Sequence, residues 1–181
     1  MRFALGSIIA AVVMFALGFV FFGLLGMMMF DPLDAGTAAS VQSTLGGTLP
    51  ATGTYAVPID EEAWMRGPSA MIRYVAAGGA PDMGMAMGMG FVHFLLSALL
   101  IGYALKAVGG DFARQARVVI WFGLAASAFM HLGDPIWYGF AWRNTLFEFV
   151  ADAVMFIAGG LVLAWWLGAS SATRPATAAA S

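Results

Sequence analysis

Four long apolar runs leave this chain very few folds. They cover residues 3–30, about 82–107, about 118–131 and about 145–167. A helix needs about 20 apolar residues to cross a bilayer. The third run reaches that length when its N-terminal end is carried back to Asp111 or Phe112. Backbone in hydrocarbon must satisfy its own hydrogen bonds, so such runs become helices. Only 10% of the 181 residues are charged, against about a quarter in soluble domains. Mean hydropathy is +0.86. The expected fold is an all-α membrane protein, a four-transmembrane-helix bundle. Residues 1–30 form the first transmembrane helix and 84–168 hold the other three.

The first run has a rival reading as a signal peptide. A signal peptide carries an apolar region of about 7–15 residues and a small-residue cleavage site. This run is longer and ends in Met27-Met28-Met29-Phe30, so an uncleaved helix is expected.

Residues 31–83 are the one substantial polar segment and read as a small α/β cap. Asp31-Pro32 has the form of a helix start, and Gly46-Gly47 of its stop. Residues 53–58 and 70–75 read as short strands around a helical turn at 60–65. The Gly67-Pro68 pair closes that turn, and Gly78-Gly79 ends the second strand. Trp64 and the two apolar strands argue for a compact cap rather than a disordered loop. The Ala- and Ser-rich tail, 169–181, reads as disordered.

Orientation follows from the placement of Lys and Arg. Arg2, Lys106, Arg114, Arg117 and Arg174 fall at the two ends and in the second connection. The first connection is acidic, with six carboxylates against Arg66 and Arg73. Both termini and the tail are therefore expected in the cytoplasm and residues 31–83 outside it.

Several short elements carry a resemblance. They are a Gly-x-Tyr-x-x-Pro strand (Gly53, Tyr55, Pro58), the Gly67-Pro68 turn, an Ile-Trp-Tyr-Gly-Phe element (Ile136 to Phe140) and a Thr-Leu…Asp helix (Thr145, Leu146, Asp152). In this order the chain resembles a family of small four-helix bacterial inner-membrane proteins of unknown function. The resemblance implies the four-helix topology, an extracytoplasmic insert and a place in a bacterial inner membrane. It implies no activity.

Ionisable residues inside apolar helices are costly and mark candidate sites. From the helical rise, His93 lies roughly 20 Å from the level of Lys106, His131 roughly 21 Å from Arg117, and Asp152 roughly 21 Å from Trp166. All three then share one layer in the outer half of the bundle. Glu148 and Asp152 are four apart on one helical face. His93, His131, Asp152 and Glu148 are thus candidate ligands for a divalent metal such as Zn, Fe or Mn. His93 and His131 alternatively suit a haem b held between two helices. A structural reading competes with both: Asp152 pairs with a His and the pair locks helix packing. Glu148 has a further structural role open to it, since Thr145 to Glu148 fits a capping box with Thr145 as N-cap.

Two Met clusters, 27–29 and 83–89, carry thioethers of the kind that select Cu(I). Alternation of Met with Gly and Ala spreads the four Met of the second cluster around a helix, which argues against one binding face. Gly84, Gly88, Ala86 and Gly90 read instead as small surfaces that let helices approach, with Met filling gaps. Trp137, Tyr138, Phe140 and Trp142 read as an interfacial aromatic belt.

The sequence offers no nucleophile–base pair, phosphate loop or cofactor motif. It has no Cys, which excludes disulfides and thiolate sites. Its net charge of −2 gives no basic footprint for nucleic acid. The expected function is a non-enzymatic accessory or structural subunit of an inner-membrane assembly, with no cofactor. Its expected partners are the lipid bilayer and either a membrane-protein partner or a second copy. A metal- or haem-binding protein is the first alternative, and a proton-relay or small transport subunit the second.

Overall fold

The computed structural model describes residues 1–78 and 82–168. The tail at 169–181 and Gly79 lie outside the described residues. Two compact units form: one from residues 1–30 with 84 onward, the other from Asp31–Met83.

The first unit is helical. Helix α1 (Arg2–Gly18) continues as a π-helical turn, Phe19–Leu24, and a 3-10 turn, Gly26–Met29. Later in the chain come α4 (Met83–Val108), α5 (Phe112–His131), the short α6 (Asp134–Tyr138) and α7 (Trp142–Gly168). Among the described residues four helical stretches are long and apolar enough to cross a membrane: Arg2–Leu24, Met83–Val108, Phe112–Tyr138 and Trp142–Gly168.

Helix α7 is the strut of this unit and packs against both α1 and α5. Small residues make this close packing possible. A Cβ on Gly159 would meet the Met14 side chain of α1, one on Gly160 would meet Val119 of α5, and one on Gly6 would meet the Trp166 ring. Trp166 Nε1 donates to the Arg2 carbonyl at 2.8 Å, which ties the ends of α7 and α1. The α5–α7 pair is antiparallel, and three contacts fix its register. Phe112 lies by Gly168, Val119 by Gly160, and Gly123 by Phe156 and Ile157.

Helix α4 meets the others mainly through large side chains. Phe91 and Phe94 stack edge-on with Phe15 at 6.0 and 6.2 Å. Phe3 tilts against Tyr103 at 4.9 Å, and Lys106 Nζ sits 4.8 Å from the Phe3 ring centre. The core where these helices meet holds Ala10, Ala11, Met14, Ala98, Ile101, Leu105, Val119, Leu163 and Ala164.

The Met-rich start of α4 differs from the sequence expectation. Nothing lies within 4 Å of a Cβ built on Gly88, and one on Gly90 makes only ordinary contact with Phe15. Met83, Met85 and Met89 are largely exposed rather than filling gaps. The close approach on α4 falls lower, at Gly102, where a Cβ would run into Phe3.

In the second unit, α2 spans Ala35–Thr48, β1 Gly53–Val57, α3 Glu61–Arg66 and β2 Ala70–Tyr74. The strands pair antiparallel, with Gly53 opposite Tyr74 and Val57 opposite Ala70. Asp60 caps α3 by accepting from the Ala63 N–H at 2.8 Å. Helix α2 corrects two expectations. Its N-cap is Asp34, not Asp31: the carboxylate accepts from both the N–H and the hydroxyl of Thr37. Those bonds, the hydroxyl first, hold the Asp34 pKa below its ordinary value of 3.8. The helix also runs through Gly46 and Gly47 and ends before Pro50, with Leu49 extended. A residue before proline is driven out of the helical region, and this outweighs the glycine pair.

Glycine spacing on α7 has a measurable consequence. Gly160→Ala drives a methyl into stiff, β-branched Val119, so it should lower stability by about 1–3 kcal/mol. Gly88→Ala adds a methyl in open space and should be neutral or stabilising by up to about 1 kcal/mol. Thermal unfolding of both variants in detergent checks this. Equal effects would remove the close α5–α7 contact as a determinant of the fold.

Candidate functional site

His131 is the last residue of α5. The chain then turns through Gly133 and the single turn of α6. Gly139 closes α6 in the left-handed conformation, φ 68°, which glycine adopts without strain. Helix α7 starts three residues later and runs back along α5. The register set by Val119–Gly160 and Gly123–Phe156 then does the rest. Twelve residues up α5 from Val119 is His131, and twelve residues back along α7 from Gly160 is Glu148. Asp152 is one turn further on the same face.

The imidazole therefore sits between two carboxylates of one helix. His131 Nε2 lies 2.7 Å from Asp152 Oδ2, a hydrogen bond. His131 Nδ1 lies 3.6 Å from Glu148 Oε2. The second distance is too long for a hydrogen bond but suits an ion pair when the ring is protonated. The His131 side chain is 13% exposed, Glu148 27% and Asp152 31%. A neutral imidazole with hydrogen on Nε2 donates to Asp152, while a protonated one presents a donor to each carboxylate. The arrangement can bind α5 to α7 and can pass a proton between ring and carboxylate.

Of the four candidates, three come together. His93 does not join them. Its side chain is exposed on α4 and tilts against Phe94 at 5.2 Å between ring centres. No ion pair among the described residues involves it. Among the described residues no three His, Asp or Glu side chains are arranged to hold a metal ion.

Glu148 does not complete a capping box. Helix α7 begins at Trp142, so Thr145 is already inside it, and its N–H bonds to the Ala141 carbonyl at 3.2 Å. Thr145 is 1% exposed. Glu148 is thereby free to face His131. Sequence reasoning missed two buried polar groups. Thr145 Oγ1 and Gln115 Oε1 are buried without a hydrogen-bond partner. Gln115 lies on the buried face of α5 with Val119, Gly123 and Ser127, an i, i+4 pattern that was readable from its spacing.

No protein-family model, curated protein or solved structure matches the chain.

The two carboxylates should differ in weight. Asp152→Ala removes the short bond to a nearly buried ring and should cost about 1–3 kcal/mol. Glu148→Ala removes a longer, partly exposed pairing and should cost less than about 1 kcal/mol. Asp152→Asn keeps a hydrogen-bond acceptor and should fall between them. Unfolding of the three variants in mixed micelles ranks them. A larger loss for Glu148→Ala would reverse the assignment.

Proposed function

We propose that this chain is a multi-pass membrane protein acting as a non-enzymatic accessory or structural subunit of a membrane assembly. Four long apolar helices support the membrane setting. Large apolar side chains on their outward faces, such as Leu100, Trp121, Phe129 and Trp165, support it further. The basic residues at the two ends and the acidic 31–83 segment support a cytoplasmic placement for the former and an outside placement for the latter. The resemblance to small bacterial inner-membrane proteins favours that membrane.

One observation carries the structural role. His131 turns both ring nitrogens toward carboxylates of the neighbouring helix. Three of the four candidate ionisable residues, His131, Glu148 and Asp152, are paired within the bundle as a packing lock would be. Exposed apolar side chains such as Leu100 and Phe129 are available to lipid or a partner subunit.

A proton-relay or small transport subunit is the second reading. It draws on the same geometry, an imidazole between two partly exposed carboxylates. In that case His131→Gln should abolish a proton flux measured in vesicles while leaving the assembly intact.

Purification of the tagged chain in mild detergent tests the leading reading. A partner membrane protein, or a second copy, should accompany it at fixed stoichiometry. The purified protein should lack a Soret band and carry no metal near one per chain. A Soret band, stoichiometric metal, or a monomer that brings down nothing would overturn the accessory role.

A further inference from the structure

The outward face of α5 carries a feature that the His131 layer does not use. An open groove of about 570 Å³ runs along it, lined by Arg114, Arg117, Val118, Trp121, Phe122 and Ala125. Their spacing makes a single helical stripe. The opposite face, with Gln115, Val119, Gly123 and Ser127, is buried. Both arginines lie at one end of the stripe and are exposed. Neither forms an ion pair among the described residues. Asp111, the nearest carboxylate in sequence, accepts from the Arg114 backbone N–H as the helix N-cap. The Arg117 Nε donates to the Ala113 carbonyl at 3.3 Å, which leaves its terminal nitrogens available. Trp121 and Phe122 are 72% and 64% exposed and supply the apolar wall.

We propose that this groove binds an anionic phospholipid. The guanidinium pair receives the headgroup phosphate, and the stripe from Val118 to Ala125 carries the upper part of an acyl chain. The inference rests on the membrane reading given above. Charge decides the occupant. Guanidinium groups match phosphate oxygens with paired N–H donors. The N-terminal end of α5 adds the positive end of its helix dipole at the same level. The rest of the stripe, Val118 to Ala125, is apolar over roughly 10 Å, which suits the upper part of a lipid tail. By the orientation proposed, the arginines face the cytoplasmic leaflet, where anionic headgroups draw basic residues to the surface. A zwitterionic lipid brings no net charge to this end, and a partner helix would need acidic residues of its own at the arginine level.

Native mass spectrometry of the full chain in mild detergent tests the site. Dioleoylphosphatidylglycerol and dioleoylphosphatidylcholine are titrated separately. The natural chain should bind the anionic lipid more tightly by roughly tenfold. The Arg114→Gln, Arg117→Gln double variant should bind the two lipids equally. The matching double Lys variant should keep part of the preference, and Trp121→Ala should weaken both lipids alike. Millimolar inorganic phosphate should not displace the bound lipid. Equal binding of the two lipids by the natural chain, or an unchanged preference in the double Gln variant, would overturn the site. Displacement by phosphate alone would overturn the acyl part of it. A lipid-insensitive dimer lost in the double Gln variant would give the face to a second copy instead. Alkaline extraction of the cell membranes keeps the two readings apart. Release of the chain overturns the membrane setting, whereas retention without lipid preference overturns only the groove.

Discussion

An ionisable ring inside an apolar bundle must find charged or hydrogen-bonding partners, and much of this fold is compatible with only one way of providing them. His131 is 13% exposed and takes Asp152 at 2.7 Å. That contact requires α5 and α7 to lie close and in one register. The small residues of α7 permit the closeness, and Gly160 against Val119 and Gly123 against Phe156 set the register. A shift of one residue would rotate Glu148 and Asp152 by about 100° away from the ring. Apolar packing and the polar pair therefore specify the same alignment. Agreement between levels of this kind narrows a sequence to one structure.

Much of the architecture was legible because its signals are long or redundant. Apolar runs gave the four long helices, and alternating β-formers between turn residues gave both strands of the ribbon. Asp60 ahead of Glu61 and Glu62 gave the start of α3. A pairing of Asp152 with a His followed from the cost of leaving either group alone in an apolar setting, while the choice of His131 over His93 came only with the structure. His93 shows where such reasoning stops. The helical rise gives the height of a residue along its axis but says nothing of which way it faces. Helix α4 is apolar nearly all round, so its sequence carries little sign of its inward face, and His93 is exposed.

Helix ends were harder, because several local rules compete within a few residues. Asp31-Pro32 and Asp34 both qualify as starts of α2. Asp34 wins because Thr37 offers its carboxylate two donors. Gly46-Gly47 costs roughly 1 kcal/mol per glycine in a helix, yet the helix persists until Pro50 enforces an extended Leu49. At α7 the capping box was outcompeted by an earlier start at Trp142, which frees Glu148 for His131. The two ends of α5 also divide its work. Arg117 and His131 stand roughly 21 Å apart along the axis, so the basic groove and the imidazole layer are separate sites on one helix.

Direct coupling between His131 and Asp152 is the centre of this picture, and a double-mutant cycle measures it. Stabilities of the natural chain, His131→Ala, Asp152→Ala and the double variant are obtained from reversible unfolding in mixed micelles. A pair in contact should give a coupling of about 1–3 kcal/mol, with the double variant little worse than either single one. Losses that add to within about 0.5 kcal/mol would mean that the two side chains do not meet, and the polar lock between α5 and α7 would have to be abandoned.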